Sequence, residues 1–296
     1  MERTEQHCAE PHFSWCDLHT HSVFSDGTYT PSEIIAEAKR LGLIIALTDH
    51  NTAAGLPEFM DAARKQGVTA VPGVEFSTEY NGIELHLLGL FVLPEHYASV
   101  ERMVKEQHVL KEISNMELVE RLNQAGYMID YTKVKGRNPN GNANRAHVAA
   151  ELLEQGYVAS IREAFDTILS DNGGFYAPPS RLQLLDVIKE LRRIGVIPVL
   201  AHPFQELTES ELMELLPNAI EAGLVGIETM HSSYTPEAIR LAEKIALEFK
   251  LLSSGGSDFH GLVKPDISLG TGKGWLCVPV SKYLDLQALQ GKLIAD

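Results

Sequence analysis

Six histidines and three acidic residues lie beside short apolar segments between residues 19 and 260. Imidazole nitrogens and carboxylate oxygens are the donors that Zn, Mn and Fe accept, and clusters of divalent ions commonly serve the hydrolysis of phosphate esters. The pattern therefore predicts a polynuclear metal site of a hydrolase. Its predicted ligands are His19, His21, Asp26, His50, Glu75, His86, His202, Asp258 and His260.

Two pairs of these residues are separated by a single residue. His19 and His21 would point to the same side of an extended strand and could share one ion. Asp258 and His260 have the same spacing and follow a glycine-rich stretch, in which the backbone can pass close to neighbouring groups. Asp26 lies in the loop sequence SDG, where an ordinary Asx turn is the alternative to a metal ligand.

The other four ligands stand in or directly after apolar strands. Taken alone, His50 and His86 would be read as structural histidines, whereas a glutamate such as Glu75 is rarely buried without a partner. For Glu75 a metal role is favoured, although an ion pair would serve as well. His202 ends its strand, and Asp49, next to His50, is expected to orient a ligand imidazole.

Short apolar runs alternate with helix-like stretches along much of the chain, which predicts parallel strands joined by helices. The runs are LIIAL at 43–47, VTAVPGV at 68–74, VIPVLA at 196–201, VGIETM at 225–230 and LLSS at 251–254. Asn81-Gly82 predicts a type I′ hairpin. Capping signals predict helices at 31–41, 56–66, 182–194, 209–222 and 236–249.

One segment interrupts this alternation, because helix-like sequence dominates from residue 100 to residue 178. It predicts an inserted, mainly helical cap domain, with helices at 99–125, 145–155 and 161–170 and a loop at 135–144. Residues 1–99 and 179–296 would then form a discontinuous metal-binding barrel.

Charge and length set broader bounds. The formal net charge of -15 argues against a surface that follows long duplex nucleic acid, because such binding depends on Lys and Arg neutralising phosphates. No window approaches the roughly 18 to 20 apolar residues that span a bilayer, and the first residues lack the apolar stretch of a secretory signal. We expect no membrane partner and a cytoplasmic location, with a monomer as the default.

The ordered motifs DLHTHSVFSDGTYTP, TDHNT, GVEFS, HLLG, AHP and GGSDFHG resemble those of the polymerase and histidinol phosphatase (PHP) family of metal-dependent phosphoesterases. The resemblance spans residues 17 to 260. It implies an α/β fold, a distorted (β/α)7 barrel, that binds two or three divalent ions. Manganese is the first choice by resemblance, and Fe, Zn or Mg are alternatives.

The resemblance also implies which residues share an ion. The implied sets are His19, His21, Glu75 and Asp258 for a first ion, Glu75, His86 and His202 for a second, and Asp26, His50 and His260 for a third. Of these ligands, Glu75, Asp258 and His202 are expected to be catalytic. Many relatives have histidine where Asp26 stands, so the third site would be richer in oxygen.

The inserted segment contains NRAHVA at 144–149 followed by AFD at 164–166. In this it resembles the insertion of a bacterial subgroup of the family that acts on nucleotide 3′,5′-bisphosphates and on short RNA 5′ ends. Arg145 is the predicted phosphate clamp, since its planar fork suits a phosphate, although a solvated arginine at a helix start is the alternative. His147 and His231 are expected to contact substrate, with structural roles as alternatives. Arg181, after the linker prolines, is a further phosphate candidate.

The predicted function is hydrolysis, by metal-activated water, of a phosphate ester of a phosphorylated small molecule, nucleotide or short oligonucleotide. One alternative is a metal-dependent hydrolase of another ester or amide, but amidohydrolase barrels typically have a carbamylated lysine, and no lysine stands at a corresponding strand end. The other alternative is a non-catalytic, metal-stabilised binding module. Base preference and the choice between 3′ and 5′ phosphate are not set by the sequence.

Overall fold

The computed structural model describes residues 15–137, 143–170, 173–177 and 180–295. Within these residues, nine strands form one mixed sheet. The strands are β1 (Trp15–Asp17), β2 (Ile44–Leu47), β3 (Ala70–Tyr80), β4 (Ile83–Leu90), β5 (Leu182–Gln183), β6 (Ile197–Leu200), β7 (Gly226–His231), β8 (Leu252–Gly256) and β9 (Val278–Pro279).

The sheet curls into a nearly closed barrel. Its order is β8-β7-β6-β4-β3-β2-β1-β9, and β5 pairs with β3. Backbone hydrogen bonds connect the segment that follows β1 to β8 and to the residues after it: the Leu18 amide donates to the Gly255 carbonyl (3.1 Å), and the Asp258 amide donates to the His19 carbonyl (2.9 Å). This closure brings the metal-binding motifs from the two ends of the chain together.

The runs predicted as parallel strands lie in β2, β3, β6, β7 and β8, and the pairs β2–β3, β6–β7 and β7–β8 are indeed parallel. The other arm of the predicted hairpin, β4, runs antiparallel to both β3 and β6, and β9 runs antiparallel to β1. The reversal begins at the predicted hairpin, where Asn81 (φ 51°) and Gly82 (φ 80°) both adopt the left-handed region that a type I′ turn requires. The barrel is therefore distorted from a regular parallel one, as the resemblance implies.

Ten α-helices lie in the described residues, and each predicted helix is present with boundaries that differ by a few residues at most. Thr30 is the N-cap of the first helix, where its side chain accepts from the Glu33 amide while Glu33 accepts from the Thr30 amide, and Gly42 (φ 67°) is the C-cap. The helices are α1 (Pro31–Leu41), α2 (Leu56–Gln66), α3 (Tyr97–Gln124), α4 (Tyr131–Gly136), α5 (Arg145–Glu154), α6 (Ile161–Asp166), α7 (Leu184–Arg193), α8 (Glu209–Ala222), α9 (Pro236–Glu248) and α10 (Val280–Ala295).

The strands bury apolar side chains on both faces. In β2, Ile44 and Ala46 belong to an apolar cluster inside the barrel, whereas Ile45 and Leu47 belong to the cluster beneath the surrounding helices. Full burial of one such aliphatic side chain contributes about 1.5–3 kcal/mol, so both faces help to fix the strand. At the carboxyl end of β2 the apolar residues give way to the predicted ligands.

The helical segment between β4 and β5 has an apolar cluster of its own, which includes Leu118 and Leu122 of α3, Val148 and Leu152 of α5 and Ala164 of α6. The boundary at residues 99 and 100 stays a prediction. The return boundary at residues 178 and 179, and residues 138–142 of the predicted loop, lie outside the described residues. Among the helices of the described chain, none combines the length and apolarity that a bilayer span requires.

Candidate metal centre

The nine predicted ligands converge at one end of the barrel. His19 and His21 follow β1, and His50 follows β2. His202 follows β6, and Asp258 lies just beyond β8. The antiparallel direction of β4 brings His86 to the same end, where it pairs with Ser77 in the sheet register.

Glu75 is the fully buried centre of this group. Its Oε2 lies 3.1 Å from each of three imidazole nitrogens, which are Nε2 of His19, Nε2 of His21 and Nδ1 of His50. A backbone bridge between His50 and Glu75 fixes the relative position of their strands. One carboxylate oxygen is therefore surrounded by donors from the ends of β1 and β2.

The second oxygen of Glu75 faces the other side of the barrel. Its Oε1 lies 2.8 Å from Nδ1 of His86 and 3.0 Å from Nε2 of His202. The two oxygens thus contact separate sets of histidines, an arrangement that can bridge two ions.

Asp258 also divides its oxygens between two surroundings. Its Oδ1 lies 3.3 Å from Nε2 of His21 and 3.4 Å from Nδ1 of His260. Its Oδ2 lies 2.6 Å from Nζ of Lys264 and 3.5 Å from Nε2 of His231. Asp258 has a φ of 57°, so the backbone is strained where this carboxylate enters the cluster.

Asp26 joins a neighbouring group at the open side of the cluster. Its Oδ1 lies 3.2 Å from Nε2 of His260 and 3.9 Å from Nδ1 of His21, and its Oδ2 lies 3.8 Å from Nε2 of His50. Nitrogen and oxygen atoms from these four residues fall within 4.8 Å of one another. Asp26 therefore lies with predicted ligands and not in an isolated turn.

The electrostatics of the cluster keep its carboxylates ionised. Burial alone would raise the pKa of Glu75, but the imidazoles of His19 and His50 outweigh it and hold that pKa well below the usual range. The pKa of Asp26 is likewise lowered against the effect of burial, chiefly by His260 and His50. Both side chains are thus in the form that binds a cation.

Several buried atoms at the centre of the cluster have no hydrogen-bond partner among the described residues, although buried polar atoms are normally satisfied. Most of them point at the same small volume, and their donor set of imidazole nitrogen and carboxylate oxygen suits Mn, Fe or Zn. The residues present therefore fit divalent ions. The atoms are His19 Nε2, His21 Nε2, Asp26 Oδ1, His50 Nδ1, Glu75 Oε2 and His231 Nε2.

Buried carboxylates behind the ligands organise the loops that carry them. Asp49 was expected to orient a ligand imidazole, but it accepts from the amide and hydroxyl of Ser22 (2.7 and 2.6 Å) and from the hydroxyl of Ser25 (2.6 Å). Asp17 accepts from the amide and hydroxyl of Ser257 (2.8 and 2.6 Å). Asp49 thus fixes the loop after β1. Within the described residues, its side chain is connected to His21 only through the Ser25 hydroxyl, which lies 3.4 Å from Nδ1 of His21.

A cavity of about 400 Å³ lies over the cluster, between the barrel and the helical segment. Asp26, His50 and His86 form its floor, and Arg145 lines its wall. The Arg145 guanidinium carbon lies 4.4 Å from the ring centroid of Tyr176, within reach of a cation–π contact.

The sequence analysis did not predict that His108 and Lys111 of α3 line the cavity. Their signal was helical periodicity, since His108, Lys111 and Asn115 stand three and four residues apart and share one face of α3. Arg181, already a phosphate candidate, lines the same cavity and pairs with Glu84.

Two histidines that were predicted to contact substrate, His147 and His231, do not line this cavity. His147 Nδ1 accepts from the Asn144 amide (3.1 Å) and so caps α5, and its side chain does not line the cavity. His231 is 2% exposed and lies behind Asp258, where its Nδ1 contacts the Ser233 hydroxyl (2.8 Å). Substrate contact by either histidine stays a prediction.

Comparison with known proteins shows the family of the chain. The family model of the PHP domain matches residues 17–177, which is more than half of the chain. The chain is 30% identical over 246 residues to a 5′-3′ exoribonuclease of Haemophilus influenzae, covering 82% of this chain and 89% of the relative.

Two further relatives have phosphate ester chemistry in their names. A phosphoribosyl 1,2-cyclic phosphate 1,2-diphosphodiesterase of Eggerthella lenta is 30% identical, with 83% of this chain and 94% of the relative covered. A 3′,5′-nucleoside bisphosphate phosphatase of Chromobacterium violaceum is 29% identical, with 93% and 98% covered.

The fold has a counterpart among solved structures. A Bifidobacterium adolescentis protein described as a metal-dependent phosphoesterase superposes with a TM-score of 0.83 at 28% identity, covering 95% of this chain and 98% of the other. The similarity thus extends over the barrel and the helical segment together. The chain therefore belongs to the PHP family and shares the fold of its metal-dependent phosphoesterases.

Proposed function

We propose that this phosphoesterase hydrolyses a phosphate ester of a nucleotide, such as a 3′,5′-bisphosphate nucleotide, or of a short oligonucleotide. The observation that carries the proposal is the buried Glu75 carboxylate, whose two oxygens face histidines on both sides, below a cavity that a cationic side chain lines. Two of the relatives described above act on substrates of this kind by name.

We assign the ligands to two or three ions, with manganese as the first choice. The distances around Glu75 and Asp258 support the first set, and those around the other oxygen of Glu75 support the second. The third set is supported by the Asp26 group. The sets are His19, His21, Glu75 and Asp258, then Glu75, His86 and His202, then Asp26, His50 and His260.

Divalent ions in such a centre supply a Lewis acid for the phosphoryl oxygens and lower the pKa of water. Glu75 and Asp258 would provide the buried negative charge that retains the cations, and His202 would add a neutral ligand nitrogen at the far side of Glu75. Burial lowers the pKa of His202, which keeps the imidazole in its metal-binding form. We propose these three as catalytic residues because each would contact an ion at the reacting phosphate.

The cationic wall of the cavity is suited to a phosphate group held over the centre. Arg145 stacks on Tyr176 and lies 5.8 Å from the ring centroid of Phe165, so its planar fork is held in place before substrate arrives. Burial lowers the pKa of Lys111, an effect that Asp26 and Glu84 partly offset. An incoming phosphate would offset the remaining desolvation cost of that ammonium group.

The cavity also limits the size of the substrate. A volume of about 400 Å³ lies within the range of about 300–1,000 Å³ that small-molecule sites occupy. It accommodates a mononucleotide or the end of a single strand, and the net charge of -15 disfavours long duplexes. A monomeric state and a cytoplasmic location stay predictions.

The proposal is tested by phosphate release from a panel of substrates in the presence of Mn²⁺. The panel contains a 3′,5′-bisphosphate nucleotide, a nucleoside monophosphate, a short 5′-phosphorylated RNA, a cyclic phosphate and an amide. We expect cleavage of the bisphosphate or the RNA and loss of roughly 100-fold or more in Asp258→Asn and His86→Ala, since displaced reacting groups cost at least that much.

Matched controls separate the site from general damage. Asp285→Asn on the exposed face of α10 and His96→Ala, outside the cavity, should retain activity. Cleavage of the amide alone, or full activity in both site variants, would refute the proposal.

A further inference from the structure

Glu228 in β7 is a fully buried carboxylate that the sequence patterns did not single out. Its Oε1 lies 3.1 Å from Nδ1 of His19, and its Oε2 accepts a hydrogen bond from the backbone amide of His202 (2.8 Å). The two oxygens thus contact two proposed metal ligands, His19 after β1 and His202 after β6.

The contact with His19 determines how its ring is used. A carboxylate can only accept, so Nδ1 of His19 must be the donor. Its Nε2 then faces inward, 3.1 Å from Oε2 of Glu75 and 3.7 Å from Oδ1 of Asp258. A carboxylate that receives the outer proton of a metal-binding imidazole fixes its tautomer and raises its basicity.

The contact with His202 acts on the backbone. His202 has φ 24° and ψ 51°, a left-handed conformation that costs about 1–3 kcal/mol in residues other than glycine. The charged hydrogen bond to Glu228 helps to offset this cost. It holds the chain in the turn that directs the His202 imidazole to Glu75, 3.0 Å away.

Atoms of His19, Glu228 and His231 also lie close enough together to suggest another ion. Two contacts argue against it. Nδ1 of His19 already faces Oε1 of Glu228 at hydrogen-bond distance, and Oε2 already accepts from the His202 amide. The group is better explained as a hydrogen-bonded support of the centre.

We propose that Glu228 is a positioning residue of the metal centre, which orients the His19 imidazole and the His202 backbone at the same time. This inference rests on the proposed function only in assuming that His19 and His202 bind ions. It concerns how those ligands are held, whatever phosphate ester is cleaved.

The test measures metal binding in Glu228→Gln. Glutamine has nearly the same shape, but its single oxygen can accept from His19 or from His202 and not from both. We expect zinc affinity, measured by competition with a chromophoric chelator, to fall about 10- to 100-fold. Glu228→Asp, which retains the charge but is one methylene shorter, should lose affinity as well.

Glu243→Gln is the matched control. Glu243 is a partly exposed glutamate of α9 that pairs with Lys282 and accepts from the Thr229 hydroxyl, away from the cluster. This variant should bind zinc like the parent even if its thermal unfolding shifts. Thermal unfolding of each metal-free variant shows whether the fold is retained.

A spectroscopic signature separates positioning from a general structural role. In the zinc-loaded parent, the His19 Nδ1 proton, identified by its absence in His19→Gln, should resonate far downfield because it is donated to a carboxylate. In Glu228→Gln it should move upfield, and in Glu243→Gln it should stay.

Parental zinc affinity and an unmoved proton in Glu228→Gln would overturn the positioning role and leave the proposed function intact. A parent chain that binds zinc with the downfield proton but cleaves no phosphate ester would refute the proposed function and leave the positioning role standing.

Discussion

Arg145 offers a sharp test of substrate recognition. Its guanidinium lies against the rings of Tyr176 and Phe165 and lines the cavity above the metal centre. We predict that Arg145→Ala lowers kcat/KM for a 3′,5′-bisphosphate nucleotide without emptying the metal centre. Metal content should be unchanged, because Arg145 is none of the proposed ligands.

The magnitude follows from the kind of contact. Hydrogen bonds to charged groups contribute about 1.5–3 kcal/mol, which corresponds to a loss of roughly 10- to 100-fold in kcat/KM. The estimate belongs at the upper end because the aromatic rings hold the guanidinium before substrate binds, so little side-chain entropy is lost on binding. Loss of the ring contacts themselves should lower stability by about 1 kcal/mol, so kinetics are measured well below the melting temperature.

The assay is steady-state phosphate release with metal content measured on the same samples. Arg145→Lys keeps the charge without the bidentate fork and should fall between parent and alanine variant. Arg162→Ala, which removes an exposed arginine of α6 paired with Asp166 (3.7 Å), should match the parent. Unchanged kcat/KM in Arg145→Ala would refute the reasoning and assign Arg145 to the structure of the helical segment.

Two predictions concern stability. Gly256→Ala places a Cβ 2.4 Å from the Cβ of His19, so we expect the free energy of unfolding, measured in urea, to fall by about 2–4 kcal/mol and metal binding to weaken. Gly136→Ala, with open space around its Cβ, should be nearly neutral. Equal losses in the two variants would contradict the packing argument. Burial lowers the pKa of His147 to about 4, against about 6.5 when unfolded, so the stability from its cap on Asn144 is present above pH 6.5 and declines as pH falls towards 4. The cost of His147→Gln should therefore be about 2 kcal/mol smaller at pH 5 than at pH 7.5, and a cost independent of pH would contradict this role.

Local features of the fold were predictable because their causes lie within a few residues. The bounds of α1 follow from its capping residues, which are Thr30 and Glu33 at the start and Gly42 at the end, and these residue types are recognisable in the sequence. Asn81-Gly82 likewise determines the turn between β3 and β4. In each case the structure confirms the prediction.

The pairing of β4 with β6 was not predictable in the same way. More than a hundred residues separate the two strands, and their register, such as Leu88 with Val199, is determined by barrel closure and not by a local signal. The hairpin signal indicated that β4 runs antiparallel to β3, but no local signal indicated that β6 would pair with the other edge of β4.

Some residues of the site were predictable from the sequence and others were not, for the same reason. Histidines and acids at strand ends were found because their type and spacing are unusual, and the structure brings them together. Glu228 was missed because a single glutamate in the apolar run VGIETM has meaning only once His19 and His202 lie beside it. Among the described residues, Asp49 has no direct contact with a proposed ligand imidazole because the nearby hydroxyls of Ser22 and Ser25 occupy its oxygens, and only the Ser25 hydroxyl connects it to His21.

Phosphate ester hydrolysis by this chain is proposed to depend on divalent ions held around Glu75. The most direct measurement is phosphate release from a 3′,5′-bisphosphate nucleotide by the metal-free chain, before and after Mn²⁺ is restored. We predict no release without metal, recovery at two or three ions per chain, and no recovery in Asp258→Asn. Equal release by the fully metal-free chain would contradict the account.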